Sequence, residues 1–169
     1  MLKTTINRVM KQFGNDVIIK SKRNLASNNV GGSISSSIGS KSYIESNGVS
    51  VVFTLPDYWE YVDYGVTGVG GSRADGSSWV KKRVTNSKFK YNTAKPPASA
   101  FSKYTSDRSS QFAMATSVFH TGIKTTGFFT NPFDKELSTL GEDISNALLE
   151  GVSKDLDIKL SGFNNLTII

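Results

Sequence analysis

Apolar residues recur every three or four positions through the first part of the chain, which is the spacing of one face of an α-helix. They are Ile6, Val9, Met10, Phe13, Val17 and Leu25, with lysines and arginines between them. The pattern predicts an amphipathic helix from about Thr5 to Asn28, within an N-terminal segment 1–30. The Ser- and Gly-rich stretch 31–40 that follows is expected to be a flexible arm or a weak strand.

The period then shortens to two, as expected of a β-strand that is buried on one side. The alternating apolar residues are Val49, Val51, Phe53 and Leu55. Asn47 and Gly48 stand before this run and tolerate the positive φ of a type I′ turn. The pattern therefore predicts a hairpin over 41–55. Pro56 ends its second strand, and 57–62 is expected to form a short helical turn.

A long stretch with no clear period follows, from residue 65 to residue 97. It opens with a glycine-rich run at 65–71, and its part 79–91 is basic and aromatic. So long a segment inside a compact domain is usually a functional projection. We therefore predict that 65–97 is a projecting insertion, either a loop or a hairpin.

Helical spacing returns twice after the insertion. A helix near 99–121 would place Phe101, Tyr104, Phe112, Ala115, Val118 and Phe119 along one stripe. A second helix begins at Asn131, a capping residue followed by proline, and is expected to end at Gly151. Its predicted stripe is Phe133, Leu137, Leu140, Ile144 and Leu148. Alternation at 156–160 predicts a closing, half-buried strand.

This order of elements predicts an α+β fold. We expect one small, mostly antiparallel sheet packed against two or three helices, with the long loop or hairpin insertion projecting from it. A chain of 169 residues is long enough to bury a real core, so 1–169 is predicted to form a single domain.

Composition narrows the chemistry. The chain is 37% hydrophobic and 20% charged, as in globular proteins, and no apolar run is long enough to span a membrane. Its first residues lack the apolar centre of a secretory signal, so we expect no export. It has no cysteine, which excludes disulfides and removes the usual sulfur ligands of zinc. We predict no cofactor and no metal.

The net charge of +6 is unevenly distributed along the chain. Segments 1–29 and 73–95 are strongly basic, whereas 134–157 is acidic. Surfaces of opposite sign favour head-to-tail contact between copies, or docking to a charged partner. The alternative is that these segments are ordinary solvated faces.

Residues suited to catalysis do not converge in the sequence. His120 is the single histidine, and we expect it to be structural. Asp57, Glu60 and Asp63 could hold a cation, but no glycine-bounded calcium loop accompanies them. The glycine run at 65–71 lacks the lysine and hydroxyl residue of a phosphate-binding loop. We therefore predict that the chain is not an enzyme, and an enzyme centred on His120 or Asp63 is the minor alternative.

The segment 79–91 interleaves cations with aromatic residues, a pattern found where proteins follow a nucleic-acid backbone. The basic candidates here are Arg73, Lys81, Lys82, Arg83, Lys88 and Lys90. They could contact DNA without reading its sequence, or they could bind an acidic protein neighbour. A nucleic-acid-binding accessory protein is therefore the alternative function.

Two motifs resemble those of a known family. Residues 58–68 read YWEYVDYGVTG and resemble the Y-W-x-Y-x-D-x-G-x-x-G stretch of tail-completion, or head–tail joining, proteins in the neck of tailed bacteriophages. Residues 122–129 read GIKTTGFF and resemble the G-I-x-x-x-x-F-F element of that family, which lies between two helices. The order of helix, hairpin and closing strand also resembles the family's order.

The resemblance implies a structural virion protein that forms a ring, six- or twelve-fold, around the DNA channel. It would join a portal or adaptor protein to a tail protein, touch DNA only in passing, contact no membrane, and be made in the cytoplasm of the host bacterium. Aromatic residues anchor many interfaces. The interface candidates are Tyr58, Trp59, Tyr61, Asp63, Tyr64, Phe128 and Phe129.

Overall fold

The structure is a computed structural model that describes residues 2–30, 32–79 and 87–163, the last nine of them by their backbone alone. The helices are α1 (Leu2–Ser27), α2 (Ser33–Ser37), α3 (Trp59–Asp63), α4 (Arg108–Thr121) and α5 (Thr130–Phe163). The strands are β1 (Gly39–Ile44), β2 (Val49–Thr54), β3 (Val66–Thr67) and β4 (Gly122–Ile123), and a 3₁₀ turn covers Ala98–Phe101. The predicted α+β class is confirmed, with two small antiparallel sheets, β1–β2 and β3–β4.

The chain forms two compact units. The terminal unit comprises Met1–Pro56 and Phe129–Ile169, and the inserted unit is Asp57–Phe128. The inserted unit thus extends well beyond the predicted insertion 65–97. The prediction of one neck-type domain over 1–169 stays a prediction.

Aromatic residues form the centre of the terminal unit. The ring of Phe53, from β2, lies 6.0 Å from that of Phe13 on α1, 5.4 Å from that of Phe129, and 5.8 Å from that of Phe133 on α5, each edge to face. Such pairs stabilise a core by about 0.5–1.5 kcal/mol beyond the area they bury. Helices α1 and α5 and the predicted hairpin thus share one core.

Two ion pairs connect α1 with α5 inside the same unit. Lys20 and Glu136 are 2.5 Å apart, and Arg8 and Glu150 are 3.9 Å apart. The basic N-terminal segment and the acidic 134–157 segment were predicted to meet between copies. Part of this complementarity is instead satisfied within one chain, because the apolar faces of the two helices pack together.

Gly14 lies where α1 passes closest to the hairpin. A Cβ at this position would lie 2.9 Å from the Ser40 hydroxyl and 3.1 Å from a methyl group of Val51. Glycine weakens a helix by about 1 kcal/mol relative to alanine, but here it allows close packing of helix against strands.

Three predicted elements differ from the structure. The closing strand at 156–160 is wrong, because α5 continues through Gly151 to Phe163. One glycine costs a helix only about 1 kcal/mol, too little by itself to end a helix. The stretch 31–40 contains α2, which buries Ile34, and β1 already begins at Gly39.

The helix predicted near 99–121 begins only at Arg108. Asp107 caps it by accepting a hydrogen bond of 2.7 Å from the backbone N–H of Ser110. The chain between the 3₁₀ turn and this cap is not α-helical, so Tyr104 lies outside the predicted stripe, whereas Phe112 lies within α4 but on its exposed side. Tyr104 is 64% exposed and Phe112 is 59% exposed.

The apolar stripe of α5 also needs correction. Leu137 is 48% exposed, whereas Ala147, which the prediction omitted, is buried. A small side chain at this position lets α5 pack closely, a feature that a search for large apolar residues overlooks.

Candidate functional site

The two motif segments lie against each other in the inserted unit. Strand β3 pairs with β4, placing Val66 opposite Ile123. The hydroxyl of Thr125 donates to the carbonyl of Tyr64 at 2.9 Å, and that of Thr126 donates to the carbonyl of Val62 at 2.7 Å. The second motif therefore satisfies backbone acceptors at the end of α3, which a helix terminus otherwise leaves unbonded.

Glycines allow this close approach. A Cβ on Gly65 would lie 2.5 Å from the carbonyl oxygen of Ile123 and 2.7 Å from the backbone nitrogen of Thr125, and Gly65 has a φ of +71°. A Cβ on Gly68 would collide with the backbone at His120. We call the contact between residues 62–68 and 120–127 the motif junction. A Cβ on Gly122 would likewise collide with the backbone at Val66, so backbone-to-backbone packing explains Gly65, Gly68 and Gly122.

Four of the interface candidates have accessible rings. Tyr58 is 43% exposed and Tyr61 is 45% exposed, whereas Trp59 and Tyr64 are half-buried, with their rings 6.2 Å apart. Tyr61 also packs on Phe89, with ring centroids separated by 4.3 Å. Parts of the Tyr58 and Tyr61 side chains therefore face solvent.

Three other interface candidates are buried within the chain. Asp63 and Phe128 are 0% exposed, and Phe129 is 8% exposed within the aromatic core of the terminal unit. The backbone carbonyl of Asp63 accepts hydrogen bonds from the N–H groups of Thr126 and Gly127 at 3.1 and 3.0 Å. The ring of Phe129 packs on those of Phe53 and Phe133.

The basic candidates have separate environments. The guanidinium of Arg73 lies 4.1 Å from the centroid of the Trp79 ring, a cation–π contact. Lys88 bonds to Glu60 at 3.0 Å, and Lys90 is exposed beside the bridge to Thr67. Lys81, Lys82 and Arg83 lie outside the described residues.

His120 holds the loop that follows β3. Its Nδ1 donates to the carbonyl of Gly70 at 2.5 Å, and its ring is stacked on Trp79 with centroids 5.1 Å apart and planes at 8°. The backbone N–H of Trp79 in turn donates to Gly71 at 2.6 Å. Through these contacts the His120 side chain packs against residues 70–79 and holds them in place.

The acidic candidates do not converge. Asp57 is exposed, Glu60 is bound to Lys88, and Asp63 is buried. Within the described residues, no group of three or more histidine, aspartate or glutamate side chains is placed to hold a metal ion. Nor does any helix in the described part of the chain have the length and apolar character needed to cross a membrane.

A surface that the sequence did not predict lies around the start of α4. We call it the basic–aromatic face, and its members are Lys95, Lys103, Tyr104, Arg108 and Phe112. The Lys95 amino group lies 5.1 Å from the centroid of the Phe112 ring, and the Lys103 amino group lies 4.9 Å from that of Tyr104. The Thr105–Ser106–Asp107 capping signal before Arg108 could have revealed it, because it shortens the helix and removes Tyr104 from the stripe.

One carboxylate lies beside this face. The hydroxyl and backbone N–H of Ser110 donate to Asp107 and lower the pKa of its carboxyl below the ordinary 3.8. Asp107 is thus ionised at neutral pH and caps α4.

The inserted unit carries nearly all of the net charge. It contains ten lysines and arginines against five acidic residues, hence +5 of the chain's +6, whereas the terminal unit has ten against nine. A charge of this size attracts an anionic partner.

Comparison with protein-family models, with curated proteins and with solved structures finds no match to this chain.

Proposed function

We propose that the chain is a structural protein of a tailed-bacteriophage virion, a ring-forming part of the neck that joins the portal or adaptor to the tail, with no catalytic role. The observation that carries the proposal is the motif junction. The two segments that resemble the tail-completion family are far apart in sequence, yet they form one hydrogen-bonded contact. Two resembling segments that contact each other in the fold support membership of the family more strongly than two segments that lie apart.

The junction is suited to a ring subunit. It fixes α3 by backbone packing, and so presents Tyr58 and Tyr61 on a firm support. A closed ring requires one surface of each copy to meet a different surface of the next. Exposed aromatic rings on a rigid element bind a partner with little loss of conformational entropy.

The experiment measures assembly. The purified chain is examined by sedimentation velocity and negative-stain microscopy, alone and with portal and adaptor rings of its own phage. We expect defined rings, and weaker assembly in Tyr61→Ser. The matched control is Tyr43→Ser, since Tyr43 is exposed to a similar degree, 47%, on the hairpin of the terminal unit.

Two results would count against the proposal. One is a chain that stays monomeric both alone and with the portal and adaptor rings. The other is equal loss of assembly in Tyr61→Ser and Tyr43→Ser, which would mean that loss of any exposed tyrosine explains the effect. Far-UV circular dichroism of each variant establishes that the fold is kept.

Nucleic-acid binding is the second candidate, and the +5 charge of the inserted unit favours it. However, Trp79, Phe89 and Tyr91 already pack on rings of the same chain, so binding would be electrostatic rather than by base stacking. Fluorescence anisotropy with a labelled DNA duplex tests this candidate. A monomer whose affinity falls steeply with salt, and falls further in the Lys88→Gln/Lys90→Gln variant, would favour DNA binding over ring formation.

A further inference from the structure

The two aromatic side chains of the basic–aromatic face are largely exposed to solvent. Tyr104 is 64% exposed and Phe112 is 59% exposed, and a lysine lies over each ring. Arg108 and Phe112 are one turn apart on α4, so they share a side of the helix. Exposed aromatic groups ringed by cations are typical of a surface that binds an acidic, partly apolar partner.

The opposite kind of surface occurs on α5. Leu149 is 66% exposed and Val152 is 56% exposed, and Asp134 and Glu142 are exposed as well. At 100° per residue, these four side chains lie within an arc of about 80° and along about 27 Å of helix. We call them the acidic–apolar side of α5.

Charge complementarity identifies the occupant. The described side chains of α5, residues 130–154, include five acidic residues against two lysines, whereas the inserted unit carries +5. Two of the five are already in ion pairs, Glu136 with Lys20 and Glu150 with Arg8 and Lys154. Among the described residues, Asp134 and Glu142 form no ion pair. The acidic–apolar side therefore remains available for a basic, aromatic surface of matching chemistry.

We infer that the basic–aromatic face of one copy binds the acidic–apolar side of α5 in a second copy. This inference rests on the proposed ring function and names the surfaces that would form its repeated contact. The two surfaces differ, so the contact is heterologous, as ring closure requires. DNA could satisfy the cations of the face, but it would leave the exposed Leu149 and Val152 without a role.

Charge reversal tests the pairing. The first variant is Lys95→Glu/Arg108→Glu, and the second is Asp134→Lys/Glu142→Lys. Each should weaken self-association roughly tenfold or more, because like charges then face each other. The matched control is Lys22→Glu/Arg23→Glu, the same charge change at two exposed cations of α1, and it should associate like the wild type.

Mixing the two reversed variants provides the decisive measurement. The acidic face of the first variant then meets the basic α5 of the second, and the unchanged surfaces also match, so an equimolar mixture should regain assembly. Sedimentation velocity is measured for each protein and for the mixture, alone and on portal and adaptor rings. Circular dichroism verifies folding.

The outcomes separate this inference from the proposed function. Wild-type rings that tolerate both reversals, or a loss that mixing does not repair, would overturn the inference and leave the ring function intact. A wild-type chain that is monomeric under both conditions would overturn both. Loss of DNA affinity in the first variant of such a monomer would identify the face as a nucleic-acid surface.

Discussion

Replacing Gly65 with alanine tests the motif junction directly. Gly65 has a φ of +71°, a conformation that costs an L-residue about 1–2 kcal/mol. Its added Cβ would also lie 2.5 Å from the carbonyl oxygen of Ile123, so β3 and β4 would have to move apart. Overpacking of this kind costs about 1–3 kcal/mol. Together the two effects predict a loss of about 2–5 kcal/mol in the free energy of unfolding.

Gly76→Ala is the matched control. Gly76 has a similar φ of +81°, but an added Cβ would meet nothing within 4 Å. Its substitution should therefore cost only the conformational strain, about 1–2 kcal/mol. The difference between the two variants isolates the steric effect at the junction.

Urea unfolding followed by tryptophan fluorescence measures both variants. The chain has two tryptophans, Trp59 and Trp79, and both lie in the inserted unit, so the signal reports on that unit. Free energies that agree within about 0.5 kcal/mol for the two variants would refute the steric reasoning. Should Gly65→Ala yield no folded protein, Thr125→Val removes one junction hydrogen bond and should cost about 0.5–1.5 kcal/mol by the same assay.

Three further predictions concern stability. Lys20→Met removes the cation bound to Glu136, whose side chain is only 14% exposed, and should lower the free energy of unfolding in urea by about 1–3 kcal/mol. The control Lys154→Met, at an exposed ion pair, should change it little. Gly141→Ala should gain about 0.5–1 kcal/mol, because the glycine lies inside α5 and an added Cβ meets nothing, and a loss would contradict this. Burial raises the pKa of Tyr91 above the ordinary 10.0, so this side chain ionises at a lower pH in the unfolded state than in the folded state. The free energy of unfolding should therefore fall as pH rises above about 10. Denaturation measured at a series of pH values should show a smaller fall for Tyr91→Phe.

The sequence predicted the elements whose signals are local. The hairpin formed where Val51 and Phe53 alternate with exposed neighbours. The predicted type I′ turn at Asn47 and Gly48 is wrong, because neither residue has a positive φ. The strands are instead joined through residues 45–48, where the backbone N–H of Glu45 donates to the carbonyl of Gly48 at 2.8 Å. Helix α5 begins at Thr130, so the predicted cap Asn131 lies inside its first turn and the start was predicted to within about two residues. The closing strand was wrong because five residues are too few to distinguish a strand from a helix by their period, and α5 continues through them.

The sequence could not predict which aromatic residues face solvent. Phe128 and Tyr61 belong to similar motifs, yet one is 0% exposed and the other 45%. Burial here depends on long-range contact between β3 and β4, which no local period encodes. The basic–aromatic face was missed for a related reason, since one capping aspartate removed Tyr104 from a predicted helical stripe.

The charges that stabilise the fold and the charges proposed to bind a second copy lie in different parts of the chain. In the terminal unit, ten cations face nine acidic residues, and the pairs Lys20–Glu136 and Arg8–Glu150 join its two long helices. The terminal unit is therefore close to neutral as a whole, and its remaining acidic surface is the side of α5 that carries Asp134 and Glu142. The inserted unit keeps an excess of five positive charges, and two of its lysines, Lys95 and Lys103, lie over exposed rings. These cations repel one another unless an anionic surface approaches. Reversing Lys95 and Arg108 should therefore weaken assembly while leaving the unfolding free energy of the isolated chain unchanged or slightly higher, because it relieves that repulsion. An unfolding free energy that fell in step with assembly would mean that these cations hold the inserted unit together rather than bind a second copy.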